Sequence, residues 1–423
     1  MSNKLIILLL IQFIFSSDTI QFDQKRLDNI DSLSNKLIKE KKFTGVSVYI
    51  NSSDKVIYNK QIGYGNVEKT IQLDESTNYR IFSMTKPITS VALMILLERG
   101  LLNLDDPISK YLPEFKKMKR IRVLDLPIIK HLFYTRKKVD NDITIFHLLT
   151  HTSGLYYDFS SKYISVYRKY IKGAKLDIKT LEDFSNQASK LPLLFEPGTD
   201  FNYGINTDIL GRIIEVVSGQ DLELFLQTEI FMPLEMNSTT FNLDNSLKNL
   251  LPVYENIDGK LEISSRLNLA PIAKFPMGGA GLFSTVSDYS NFCSMLKNDG
   301  SYKGKKIISK NSIDLMSTNH IKYLDGENAK NISKRLPVAL IEDIRSLTFP
   351  MDGFGLGLYT NDHMNHQSTI ANINRIGWMG AANTFFFIDP DHDFFVIIMA
   401  QSRMDFSILN DFENVIYQAL EYN

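Results

Sequence analysis

Strand-like runs stand at both ends of this 423-residue chain and helix-like runs between them, which restricts the fold more than any composition figure does. Gly45 to Ile50 and Val56 onward to Tyr64 flank the turn Asn51-Ser-Ser-Asp54, a hairpin pattern. Near the other end, Phe354 to Tyr359, Thr384 to Ile388 and Phe394 to Met399 again read as strands. From Leu104 to about Leu269 the pattern is mostly helical, with loops marked by Glu196-Pro-Gly198 and Met232-Pro-Leu234. Further helices are expected over Phe22 to Lys42, Val286 to Leu296 and Ile408 to Leu420. The arrangement implies one sheet built from both termini with a helical lobe inserted in it. A site would then lie in the cleft between the lobes.

Ser83-Met84-Thr85-Lys86 is the chemically richest stretch. A hydroxyl and an amine three residues apart share one face of a helical turn, so the amine can take the hydroxyl's proton. The run Ile88 to Gly100 reads as an amphipathic helix closed by Gly100, which places Ser83 at a helix N-terminus. There the dipole and the unpaired N–H groups help to keep the lysine neutral. Pro87 is tolerated because the first turn offers its N–H groups no acceptor.

Composition excludes rather than assigns. A formal net charge of -1 removes the electrostatic argument for a nucleic-acid or anionic-membrane partner. Lys116 to Lys138 is basic but has no aromatic ladder and reads as solvated loop charge. The single cysteine, Cys293, cannot form an internal disulfide and reads as a small buried hydrophobe. Residues 1–17, with Lys4, an apolar run from Leu5 to Phe15 and Ser16-Ser17, have the three regions of a secretory signal peptide. A secreted, periplasmic, lysosomal or extracellular destination follows; an uncleaved anchor or a merely apolar N-terminus are the alternatives. Beyond that segment nothing points to a membrane, and the oligomeric state is open. The N-x-[ST] triplets at Asn51, Asn237 and Asn331 would carry glycans only on a eukaryotic secretory route.

Ser83 to Lys86 is followed by Ile143-Thr-Ile-Phe-His-Leu-Leu-Thr-His-Thr-Ser-Gly-Leu155, then Glu196-Pro-Gly-Thr-Asp-Phe-Asn-Tyr203 and Asp208-Ile-Leu-Gly-Arg-Ile-Ile-Glu-Val-Val-Ser-Gly219. Gly278-Gly-Ala-Gly-Leu-Phe-Ser-Thr285 and Gly377-Trp-Met-Gly-Ala-Ala-Asn-Thr384 complete the series. In this order the chain resembles the serine β-lactamase-like superfamily, most of all the class C-related esterases known as family VIII carboxylesterases. The resemblance covers nearly everything from Phe22 onward. It implies an α+β fold of the β-lactamase and penicillin-binding-protein type: an antiparallel sheet flanked by helices (about 22–104 and 270–423) with an inserted helical lobe (about 105–269).

The same resemblance implies a serine hydrolase acting through an acyl-enzyme on Ser83, with Lys86 and Tyr203 as its catalytic partners and no cofactor or metal. Either Lys86 or Tyr203 could be the formal base, because strongly interacting groups titrate as a unit. The N–H groups of Ser83 and Ala381 are the implied oxyanion hole, each donor contributing roughly 3 kcal/mol. Ile205, Trp378, Met379 and Gly380 are the implied substrate-binding residues. Two departures from the penicillin-recognising pattern matter. Tyr203-Gly204-Ile205 stands where Y-x-N is usual, and Trp378-Met379-Gly380 where Lys-Thr-Gly is usual. An amide and a cation are lost, while Trp378 supplies apolar area and one donor. The small-molecule substrate expected is therefore a neutral acyl ester of small or medium size. The alternatives are β-lactamase or D-Ala-D-Ala peptidase activity, and a catalytically weak scaffold or binding protein of the same fold.

Other chemistry fits less well. His147 and His151 have a metal-compatible spacing, but no H-E-x-x-H is formed, and they read as groups that satisfy backbone near the cleft. No G-x-S-x-G elbow occurs. Asp389-Pro-Asp-His-Asp393 lies between two strand-like runs and reads as a hairpin turn.

Overall fold

Hydrogen-bonded ladders join the two ends of the chain. In the computed structural model, which describes residues 21–123, 134–157, 178–241, 250–265, 267–268, 275–324, 353–361 and 374–421, strands β1 (Gly45–Ser52) and β2 (Lys55–Gly63) form the N-terminal hairpin. β3 (Gly353–Phe354), β4 (Tyr359–Asn361), β5 (Arg375–Gly380), β6 (Thr384–Asp389) and β7 (Phe394–Ala400) come from the C-terminal part. One antiparallel seven-stranded sheet results, in the order β3-β4-β5-β6-β7-β1-β2. Its seam is β7 against β1, with Val396 opposite Ile50 and Met399 opposite Ser47. Every residue of β7 is buried, as its unbroken apolar run requires of a strand covered on both faces.

Alternation along β6 distributes the covers. Phe386 meets Tyr289 of α7 (Val286–Lys297), with ring centroids 5.2 Å apart. Phe387 points the other way and stacks on Tyr417 of α9 (Phe406–Gln418) at 6.1 Å. Helix α1 (Gln24–Lys39) packs beside α9 and buries Leu27, Ile30 and Leu37. Its start is set by Asp23, whose carboxylate accepts from the Lys25 N–H at 2.8 Å. Under α9 the Arg375 guanidinium pairs with Glu413, both fully buried.

Helix α2 (Thr85–Glu98) follows the Ser83 turn and packs on α5 (Asn206–Ser218). The remaining helices of the inserted part are α3 (Ile145–Leu149), α4 (Leu181–Ala188) and α6 (Leu222–Leu226); α8 (Lys310–Ser317) follows α7. The insertion is less uniformly helical than its spacing suggests. Lys119–Val123 pairs with Tyr134–Lys138, so the basic stretch is partly a two-stranded ladder with exposed charges at Arg136, Lys137 and Lys138. Tyr254–Ile257 pairs with Lys260–Ile263, and bridges at Leu250 to Asn78 and Tyr254 to Ser402 return the chain to sheet-side segments ahead of residue 270.

The run Phe354 to Tyr359 is not one strand. It breaks into the hairpin β3/β4, because Gly357 adopts φ 84° and the Gly355 N–H bonds back to the Leu358 carbonyl. Asn51 lies in β1 and is only 6% exposed, which hides its sequon in the folded protein, whereas Asn237 is exposed. Asn331 and the expected leader at 1–17 lie outside the described residues. Cys293 is buried. No helix among the described residues is long and apolar enough to cross a membrane.

Candidate active site

Ser83 sits in a single 3-10 turn, Phe82–Met84, that runs directly into α2. Phe82 immediately before it is held at φ 42°, a left-handed conformation that costs a bulky L-residue on the order of 1–3 kcal/mol. The surroundings enforce it: Phe82, Val253 and Ala382 form a small apolar cluster against which Ala381 packs. Gly380 closes the contact, since a Cβ there would lie 2.2 Å from the Ile81 carbonyl oxygen. Gly380 thus admits the segment bearing Ser83. The expected oxyanion pair is accordingly brought together, with Ser83 at the opening of a helix and Ala381 just past the end of β5. Of the expected site residues, these two alone keep partial exposure.

Lys86 is fully buried. Its Nζ lies 3.2 Å from Ser83 Oγ, 3.1 Å from the Tyr157 hydroxyl and 2.6 Å from the Gly279 carbonyl oxygen. These three partners exhaust the donors of an ammonium. A neutral amine has two N–H groups and one lone pair, so one hydroxyl must then donate to it. Desolvation lowers the lysine pKa to about 7, opposed by the charge of Asp208. Ser83 therefore faces an amine that can be neutral near neutral pH.

Tyr203 comes from the loop leading into α5 and is 8% exposed. Lys86 Nζ stands 4.7 Å from the centre of its ring, over the face rather than against the oxygen. Burial drives the Tyr203 pKa up, and the neighbouring Ser83 hydroxyl and Trp378 indole pull it only partly back. The phenol consequently keeps its proton at neutral pH, which makes it a donor beside Ser83 and leaves Lys86 the better acceptor. Tyr157, half-buried and 5.7 Å from Tyr203 between ring centres, is likewise driven up by desolvation.

Trp378 departs from expectation. It is 1% exposed, and its ring packs on Tyr203 at 5.5 Å and Phe354 at 5.2 Å. Its apolar area is spent on holding the Tyr203 ring, so it offers a substrate little surface. Met379 pairs with Phe385 on the α9 face of the sheet and is 4% exposed, so it can present only backbone to the cleft. Ile205 is buried at the start of α5. The next residue, Asn206, does carry an amide, but its Nδ2 is 2.7 Å from His151 Nδ1 and its oxygen accepts from Ser153. That amide is turned inward.

Both histidines hold backbone. His147 Nδ1 accepts from the Thr144 N–H at 3.2 Å in a capping box at the start of α3. His151, at φ 56°, accepts from the Gly204 N–H at 3.3 Å and fixes the turn after Tyr203. Burial and the nearby Lys86 charge keep it neutral. Among the described residues no His, Cys, Asp and Glu group could hold a metal ion.

Three members of the site escape the sequence reading: Tyr157, Gly279 and Asp208. Gly279 and Asp208 lie inside stretches already singled out, and Tyr157 lies just beyond Leu155. Spacing carries no signal that their segments converge on one amine.

Comparison with known proteins agrees with this fold. The Beta-lactamase family model matches residues 30–411. The chain is 27% identical over 373 residues to Protein Rv1367c of Mycobacterium tuberculosis, covering 86% of this chain and 87% of that protein. It is 27% identical to Esterase EstB of Burkholderia gladioli, over 61% of this chain and 67% of that protein. It is 32% identical to a monacolin J acid methylbutanoyltransferase of Aspergillus terreus, over 58% and 57% of the two chains. Among solved structures, EstCE1, described as a hydrolase with promiscuous acyltransferase activity, superposes with a TM-score of 0.76 at 24% identity, over 93% of this chain and 99% of that one.

Proposed function

The chain belongs to the Beta-lactamase family, among serine hydrolases and acyl-transferring enzymes, and from that premise we propose that it is a carboxylesterase working through an acyl-enzyme on Ser83. The observation that carries the reading is the 3.2 Å approach of Ser83 Oγ to the amine of a fully buried Lys86.

Ser83 Oγ bonds to the ester carbonyl carbon while its proton passes to Lys86. The carbonyl oxygen becomes an anion facing the N–H groups of Ser83 and Ala381. Collapse breaks the carbon–oxygen bond of the ester, and the departing alkoxide takes the Tyr203 proton, which Lys86 replenishes. Water then attacks the carbonyl carbon of the Ser83 ester and gives a proton to the same pair, which returns it to Ser83 Oγ as the acyl–oxygen bond breaks and the acid is released.

A neutral acyl group is favoured over a β-lactam. The positions that would supply a lysine and an amide are held by buried Trp378 and Ile205, and Asn206 is committed to His151 and Ser153. The methylbutanoyltransferase relative supports a second reading in which an alcohol, instead of water, takes the acyl group. For Leu5 to Phe15 we propose export, which N-terminal sequencing of secreted protein would test.

The decisive experiment compares short p-nitrophenyl esters, nitrocefin and a D-Ala-D-Ala peptide on wild type and Ser83→Ala, with an added alcohol to trap transfer. Ester turnover that vanishes in Ser83→Ala is expected. Preference for nitrocefin or the peptide would overturn the esterase reading, and ester turnover surviving in Ser83→Ala would overturn the nucleophile.

A further inference from the structure

Asp208 is a carboxylate in an expensive place. It stands in the first turn of α5, where the dipole favours negative charge, yet it is fully buried. Its Oδ1 accepts from the Gly279 N–H at 2.9 Å, and among the described residues its Oδ2 has no hydrogen-bond partner. A buried carboxylate so poorly satisfied needs a compensating charge. The compensation comes through one residue: the carbonyl of the same Gly279 accepts from Lys86 Nζ at 2.6 Å. Gly279 therefore joins cation to anion, its N–H toward Asp208 and its carbonyl toward Lys86. The approach is close enough that a Cβ at 279 would lie 2.7 Å from Asp208 Oδ2.

We propose that Asp208 is a positioning residue for Lys86: through the Gly279 peptide its carboxylate holds the amine at Ser83 and supplies the counter-charge for the proton that Lys86 accepts. The proposal rests on the reading of Lys86 as the base for Ser83. The other groups facing the amine cannot supply that charge. Ser83 and the phenols Tyr157 and Tyr203 are neutral, with both phenols driven up by burial, and His151 is kept neutral by burial and by Lys86 itself. Tyr289 of α7 is committed to the Met84 carbonyl at 3.0 Å. Asp208 is the carboxylate whose charge raises Lys86.

Asp208→Asn isolates the effect, because an amide oxygen can still accept from Gly279 while the charge is gone. The acid limb of kcat/KM against pH, which reports Lys86 losing its proton, should move down by about one pH unit, and the plateau should fall by up to about tenfold because the amine is a weaker base. Asp208→Ala should show the same displaced limb. A limb that stays in place while the rate falls equally at every pH would overturn the proposal and leave Asp208 a packing role. Should Asp208→Asn not fold, Gly279→Ala takes its place: its Cβ pushes the carboxylate away, and the limb must move the same way or the proposal fails. Ser83→Ala measured alongside keeps the two readings apart. Activity surviving there defeats the nucleophile, whereas activity lost there with an unmoved limb in Asp208→Asn defeats only the role of Asp208.

Discussion

Replacing Lys86 by Met should abolish turnover and change how stability depends on pH. Burial lowers the amine from its ordinary value of 10.5 to about 7 in the native protein. In the unfolded chain it stays protonated up to about pH 10.4. Between those values the unfolded state binds the extra proton, so native stability rises with pH across that window. The buried lysine costs about 4 kcal/mol at pH 7 and about 2 kcal/mol at pH 9, from the drop in its pKa. Met carries no such proton and has a similar shape. The stability of Lys86→Met relative to wild type should therefore fall by about 2 kcal/mol between pH 7 and pH 9. The bonds lost to Gly279 and Tyr157 cancel when the two pH values are compared. Urea unfolding followed through Trp378, the one tryptophan and a buried one, reads this directly. A gap that stays constant across those pH values would refute the reasoning and remove the neutral amine on which general-base chemistry depends.

Two further substitutions probe the groups around Ser83. Tyr203→Phe keeps the ring that packs on Trp378 and His151 but removes the proton donor, so kcat/KM for esters should drop about 10²- to 10⁴-fold with unfolding little changed; undiminished turnover would sink the assignment. Gly380→Ala forces a Cβ to 2.2 Å from the Ile81 carbonyl oxygen, so the Ser83 turn and β5 must separate. Acyl transfer should fall about 100-fold, with about 1–3 kcal/mol lost from stability, and an unchanged kcat would show that this spacing does not govern the oxyanion hole.

Much of the site was legible because its signals are local. Ser83 and Lys86 lie on one turn, and a single helical period suffices to bring their heads together. Tyr203 was legible from its motif. The long, fully buried strands β6 and β7 were legible from apolar runs bounded by turn residues, and the split of residues 354–359 was missed because it depends on one left-handed glycine. Trp378 shows the other limit. Its identity suggested a substrate contact, but which way it points follows from the register of β5 with β6, and that register sets it against Tyr203 and Phe354.

The amino-acid sequence by itself determined the candidate nucleophile, its lysine neighbour and a sheet drawn from both termini, since each is written in spacings of a few residues. The tertiary structure alone decided the state of that lysine. Burial removes its water, Gly279 and Tyr157 replace it, and Asp208 approaches from α5 to limit the loss of charge. These groups come from segments far apart along the chain, and desolvation acts on a side chain only once folding has closed the surroundings around it.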